Sequence, residues 1–151
     1  DQALVEVALV STAFVGARAI WETQSLRQIF VTRAQPVNIG LSSVIGVVHP
    51  VDPAYPGGLS ATVAHDGRKV IVPIAPGSLV PVGIGEIVEM KPGISCQVDS
   101  LRPAVLALDG EREITLHSSD DAEVTLDLDG PWIVDVERVL QVAVANGAFV
   151  I

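Results

Sequence analysis

The chain has 151 residues, with nine Lys and Arg against 18 Asp and Glu and a net charge of −9 at pH 7. Neutralising a nucleic-acid backbone or an anionic membrane takes clustered Lys and Arg, and the nine here are scattered, so neither partner is expected. The lone Cys96 excludes an intrachain disulfide and gives no metal-ligand spacing, which fits a reducing cytosol and a cytoplasmic location.

Hydrophobic residues make up 49% of the chain and aromatics only 4%. The core must then come from Val, Ile, Leu and Ala, which suits strands. Thirteen Gly and ten Pro without a long polar tract indicate many turns rather than disorder. No apolar run reaches the length of a membrane span, and no basic region precedes an apolar stretch as in a signal peptide. The chain opens at Asp1, without an initiator Met, directly into an apolar segment. It reads as one domain, residues 1–151, or one lobe of something larger, cut from a longer protein.

In chain order, Ala3 to Val10 (ALVEVALV) reads as a strand buried on both faces apart from Glu6. Phe14 to Trp21 is expected to return antiparallel, with a bulge at Gly16. Thr23 or Ser25 caps a short turn of helix over Leu26 to Ile29, and Ile29 to Arg33 is another strand. Arg18, Arg27 and Arg33 read as solvated side chains. Pro36 and Gly40 mark a loop, and Leu41 to Val48 supply one face of a short helix. His49 to Gly58, with three prolines and two glycines, is a long surface loop.

Leu59 to Ala64 and Arg68 to Ile74 flank His65-Asp66-Gly67, read as an Asp-Gly hairpin. Ala75 to Ser78 is a turn, after which Leu79 to Glu89 returns as a strand. In the next strand Ile94, Cys96 and Val98 face inward, which makes Cys96 a core residue rather than a nucleophile. Ala104 to Leu108 is a doubly buried run, Asp109-Gly110 a tight turn, and Ile114 to Leu116 part of the returning strand. Val124, Leu126 and Leu128 alternate with polar residues as a half-buried strand. Asp135 caps a helix over Val136 to Asn146, buried through Val136, Val139, Leu140 and Val144 and stopped at Gly147. About nine strands and two or three short helices define a mainly β (α+β) fold, a β-sandwich with helices at its edge.

Catalytic signatures are few. There is no G-x-S-x-G elbow, no H-E-x-x-H, no C-x-x-C and no P-loop, and His49, His65 and His117 lie in or beside loops without ligand spacing. Two features remain. The Asp109-Gly110 bend brings Asp109, Glu111 and Glu113 to one sheet edge, with Glu111 and Glu113 on the face opposite Arg112, Ile114 and Leu116. Carboxylates so placed can hold ribose hydroxyls or Mg²⁺, or take a proton from an attacking hydroxyl; the same residues also make ordinary solvated hairpin charge. The loop at Pro36 to Ser43 offers N–H groups and hydroxyls to an anion, as any loop leading into a buried helix would.

Leu106 to Ile114 (LALDGEREI), preceded by Ile71 to Gly83 (IVPIAPGSLVPVG) and Thr32 to Gly46 (TRAQPVNIGLSSVIG), resembles the C-terminal domain of the NAD kinase and diacylglycerol kinase superfamily. Phe14 to Trp21 (FVGARAIW) together with Val31 to Gly46 is most similar to its ATP-NAD kinase-like branch, the acetoin catabolism protein X type. The resemblance runs from Phe14 to about Asp135 and rests on the order and spacing of its motifs. It implies a β-sandwich lobe that binds the acceptor nucleotide, with NAD as the acceptor of the family and ATP with Mg²⁺ as the phosphoryl donor. The family's ATP-binding Gly-Gly-Asp-Gly belongs to an N-terminal lobe and does not occur here. Its Ser/Thr-rich dinucleotide loop falls on Pro36 to Ser43, where Asn38, Gly40, Ser42 and Ser43 are the matching positions. Its Asp-Gly-Glu falls on Asp109, Gly110 and Glu111, which implies catalytic roles for Asp109 and Glu111. NAD kinases commonly carry Asp-Gly-Gln there. The expected partners are a nucleotide or phosphorylated metabolite, the missing lobe, and further copies of the chain in a homo-oligomer. A non-catalytic metabolite-binding or oligomerisation module linked to acetoin catabolism is the alternative.

Overall fold

The computed structural model describes residues 1–11, 23–52, 54–132 and 134–150. Eight strands and two helices are found among them. The strands are β1 (Glu6–Val10), β2 (Leu26–Val31), β3 (Gly58–Ala75), β4 (Ser78–Met90), β5 (Ser95–Gln97), β6 (Ala104–Leu108), β7 (Arg112–Leu116) and β8 (Glu123–Thr125). The helices are α1 (Ser42–Gly46) and α2 (Val136–Ala145). The mainly β expectation is met. The strand expected over Phe14 to Trp21, with Arg18, lies outside the described residues.

Six strands form one antiparallel sheet in the order β4-β3-β2-β1-β6-β7, and β5 pairs with β8 in a second, two-stranded sheet. Because side chains alternate along each strand, the inner strands β2, β1 and β6 feed two cores. Ala8, Val10, Ile29 and Val105 face one side, where Val44 and Ile45 of α1 and Val72, Ile74 and Val82 of the long hairpin close over them. Leu9, Phe30, Leu106 and Leu108 face the other, where Val98 and Leu126 cover them. The layers are therefore unequal. One face of the large sheet carries two short strands, and the other carries α1 with the hairpin arm of the same sheet.

Five expectations are corrected. Leu26 to Ile29 belongs to β2 rather than a turn of helix, since Gln28 and Ile29 pair with Leu9 and Ala8 of β1. Leu26 and Ile29 are fully buried in the sheet core, and that burial overrides the local capping signal. His65-Asp66-Gly67 is not a hairpin turn but a bulge within β3. Val63 and Arg68 both lie opposite Ile84, so Ala64 to Gly67 loop out between them. Gly67 has no positive φ, and a Cβ there would meet the Ile84 backbone, so close approach rather than turn geometry selects glycine. The true reversal is at Pro76-Gly77, where Gly77 has φ 76°.

Ile94, expected to face inward, is exposed, while Val98 is buried and Cys96 packs against the second core. Finally, α2 forms with Asp135 accepting the Arg138 N–H at 2.9 Å, as its sequence requires, but no residue of it is buried. Val136, Val139, Leu140 and Val144 are all exposed because no described strand lies against the helix. Leu128, the last residue of the β8 alternation, is exposed as well.

Candidate functional site

The bend after β6 is built by its two central residues. Asp109 has φ 51° and Gly110 φ 69°, and the Glu111 N–H closes the turn on the Leu108 carbonyl at 3.0 Å. Two successive left-handed residues match the twist of a two-residue hairpin turn, and Asp and Gly tolerate them best. The Asp109 side chain is not directed to solvent. It accepts the backbone N–H groups of Leu4 at 2.6 Å, Val5 at 2.8 Å and Glu6 at 3.0 Å. The Asp109 N–H in turn donates to the Glu6 carbonyl at 3.0 Å. Asp109 thus fastens the first strand to the bend.

The loop before α1 is fastened from within. Gly40 adopts φ 108°, a conformation that excludes most side chains, and donates its N–H to the Pro73 carbonyl at 2.9 Å. The Ser43 hydroxyl, fully buried, donates to the Gly40 carbonyl at 2.6 Å. Ser43 and Gly40 therefore set the shape of the loop and dock it on the long hairpin. Ser42 is buried and Asn38 half-buried, and the Asn38 amide donates to the Ser42 hydroxyl at 3.4 Å.

Glu6 joins the two features. Its register opposite Val31 places it on the α1 face of the sheet. There its carboxyl interacts with both the backbone N–H and the hydroxyl of Ser42, and it feels the Asp109 carboxylate. Burial raises the Glu6 pKa above its ordinary value; the Ser42 N–H pulls it down, Asp109 pushes it further up, and the Ser42 hydroxyl pulls it down again. A polar line therefore runs Asn38–Ser42–Glu6–Asp109 across the end of β1.

Of the seven residues singled out in the sequence, Asn38, Ser42 and Asp109 are brought together. Gly40 and Ser43 hold the loop behind them. Glu111 sits exposed at the tip of the turn, and Glu113, paired with Ala107, is exposed on the Glu6 side of the sheet. Glu6 was missed as a site residue. Its signal was present, a single acid inside an otherwise apolar strand, ALVEVALV, where an unsatisfied charge is costly. Nothing in that octapeptide showed that Ser42 would face it. His49, His65 and His117 are all exposed, and Arg33 is too.

The protein described so far is a mainly β domain in which one half-buried acid lies between a Gly/Ser loop and a tight acidic bend. The chain belongs to the acetoin catabolism protein X C-terminal domain family, which it matches over residues 1–129. It is 37% identical over 129 residues to the acetoin catabolism protein X of Cupriavidus necator, an alignment covering 83% of this chain and 36% of that protein. The chain thus spans little more than a third of the length of the relative it matches. No solved structure matches it. The stretch containing α2 follows the family match.

Proposed function

We propose that the chain is the acceptor-binding lobe of an ATP-NAD kinase-like phosphotransferase linked to acetoin catabolism. The observation that carries this reading is the meeting of Asn38, Ser42 and Asp109 around Glu6. A loop of N–H and hydroxyl groups beside carboxyl acceptors is what a phosphorylated ribose needs: donors for its phosphate and acceptors for its hydroxyls. Asn38 and Ser42 are the donors. Glu6 and Asp109 are the acceptors, and Glu111 extends the acidic edge into solvent, where a second lobe would meet it.

Phosphoryl transfer relies mainly on positioning and on neutralising the phosphates. ATP with Mg²⁺ would supply the phosphoryl group. No group of three or more His, Cys, Asp and Glu comes together among the described residues, and Asp109 already accepts three N–H groups. These residues do not make a Mg²⁺ cage by themselves, so no step is assigned to the ion here. The role left to this lobe is to bind and orient the acceptor.

The test is a titration of the chain with NAD and NADP, followed by amide NMR shifts. The expected result is a saturable shift confined to Asn38 to Ser43, Glu6 and Asp109, lost in Ser42→Ala, with no phosphorylation of NAD by the chain alone. Absence of any shift in those residues would overturn the binding role. Robust NAD phosphorylation would overturn the division of labour between lobes. The exposed apolar face of α2 favours the second reading, an oligomerisation module. That reading predicts self-association abolished by Val139→Glu, with no response to either nucleotide.

A further inference from the structure

On the opposite face of β1 the structure holds a cavity of about 250 Å³. Its floor is Val7, Phe30, Leu106, Leu108, Ile114 and Leu126. Four of these, Phe30, Leu106, Leu108 and Leu126, are at most 6% exposed, so the floor belongs to the second core itself. The space opens to solvent along its exposed rim and is large enough to hold several waters. An apolar floor gives such waters few partners, so their displacement by an apolar group of matching size is favourable.

The rim has a different chemistry. Glu123, Asp127 and Asp129 line it and are exposed. Glu123 is held by the Gln97 amide at 2.7 Å, and hydrogen bonds from Ser95 and Gln97 lower its pKa, so it stays ionised. The Asp127 carboxylate is oriented by the Asp129 N–H at 2.9 Å. Arg112 stands in the adjoining recess and is paired with Asp1, which lines both spaces. The rim therefore repels an anion and leaves carboxylate oxygens for a cation.

We propose that this cavity is a second binding site, taking a small apolar molecule that carries a single cationic head. An aryl or branched-alkyl body fills the floor between Phe30 and Leu106, and an ammonium group reaches Glu123 and Asp127. The site faces away from the acceptor site, because period-two alternation sends the Glu6 side chain to one face of β1 and that of Val7 to the other, although the stretch Leu4 to Glu6 borders both.

The test titrates the full chain with two probes of similar shape and opposite charge, 2-phenylethylammonium and 3-phenylpropanoate, and follows methyl NMR signals. The ammonium should shift the methyls of Leu106, Leu108 and Leu126 saturably and bind at least about fivefold tighter than the carboxylate, as two exposed charge contacts allow. In the double variant Glu123→Gln with Asp127→Asn, which keeps the shape and one acceptor oxygen of each side chain and removes both charges, that preference should vanish while toluene binding is unchanged. Equal affinity for the two probes overturns the assignment. So does the absence of methyl shifts at millimolar probe, or a preference that survives the double variant.

Discussion

Replacing Asp109 separates what its carboxylate does from what its backbone does. The side chain accepts three N–H groups, of which those of Val5 and Glu6 are partly buried and that of Leu4 is exposed. Hydrogen bonds to a charged group contribute about 1.5–3 kcal/mol when well sheltered, and partial exposure reduces this to about 1 kcal/mol each for the two inner bonds. With a few tenths for Leu4, removal of the carboxylate costs about 2–2.5 kcal/mol. Asp109→Ala adds a left-handed residue without a polar side chain, worth a further ~1 kcal/mol, for a total of about 3 kcal/mol. Asp109→Gly loses the same hydrogen bonds but not the conformational term, although part of that advantage goes to the looser unfolded chain. It should fall short of Ala by about 0.5–1 kcal/mol. Asp109→Asn keeps one oxygen and tolerates the conformation, so about 1 kcal/mol is expected.

Urea unfolding measures the series directly, and for a chain of this size a loss of 3 kcal/mol also lowers the melting temperature by roughly 6–12 °C. Amide exchange adds a local readout, since the Val5 and Glu6 N–H groups should lose protection in Asp109→Ala before the rest of β1 does. An alanine variant within about 0.5 kcal/mol of wild type would refute the claim that this carboxylate holds the first strand. A glycine variant less stable than the alanine one would refute the backbone part.

Glu6→Gln tests the half-buried acid through pH. The Glu6 pKa is raised in the folded state, so its contribution to stability is full below the ordinary value of 4.5 and is lost as pH rises through the folded value. Glutamine cannot ionise, so the variant should gain on wild type in urea midpoint near pH 8 and lose that gain near pH 4; an equal difference at both would sink the assignment. Gly46→Ala should be costly, because a Cβ there would lie 2.6 to 2.8 Å from the Gln35 backbone O, C and N, which cannot swing aside as a side chain would. A loss of about 1–3 kcal/mol is expected in thermal or urea unfolding, and a neutral outcome would show that α1 does not pack so closely. Removing residues 132–151 takes away no described buried residue, so the melting temperature of the remaining sheet should stay within about 2 °C, measured by circular dichroism.

Much of the β content was legible because aliphatic alternation and turn residues are local properties. Asp109-Gly110 is a turn for reasons contained in two residues, and Pro76-Gly77 likewise. Asp66-Gly67 carries an equally good local signal and becomes a bulge, because the pairing of β3 with β4 continues past it to a later reversal. The capping serine and threonine before Leu26 failed for a similar reason, since Leu26 and Ile29 are more stable in the sheet interior than on a free helical turn. Helix α2 failed in the opposite sense. Its amphipathic pattern correctly gave the helix and its cap, but a pattern states which face wants burial and not whether anything covers it. The site was half legible. The loop and the bend were found separately, and only the register of β1 between β2 and β6 shows that Glu6 joins them.

That register also explains how one short strand serves two proposed sites. Glu6 and Val7 are adjacent in sequence and point to opposite faces, one toward Ser42 and one into the cavity beside Phe30. Both depend on the stretch Leu4 to Glu6, which Asp109 holds through three N–H groups and which also forms part of the cavity wall. A ligand on either face should therefore protect the same amides. If so, Asp109→Ala weakens the ammonium probe and the nucleotide together, whereas Ser42→Ala weakens the nucleotide alone and Glu123→Gln the ammonium alone. Should Asp109→Ala leave one ligand untouched while abolishing the other, the strand would not be the shared support, and the two faces would have to be anchored by different contacts.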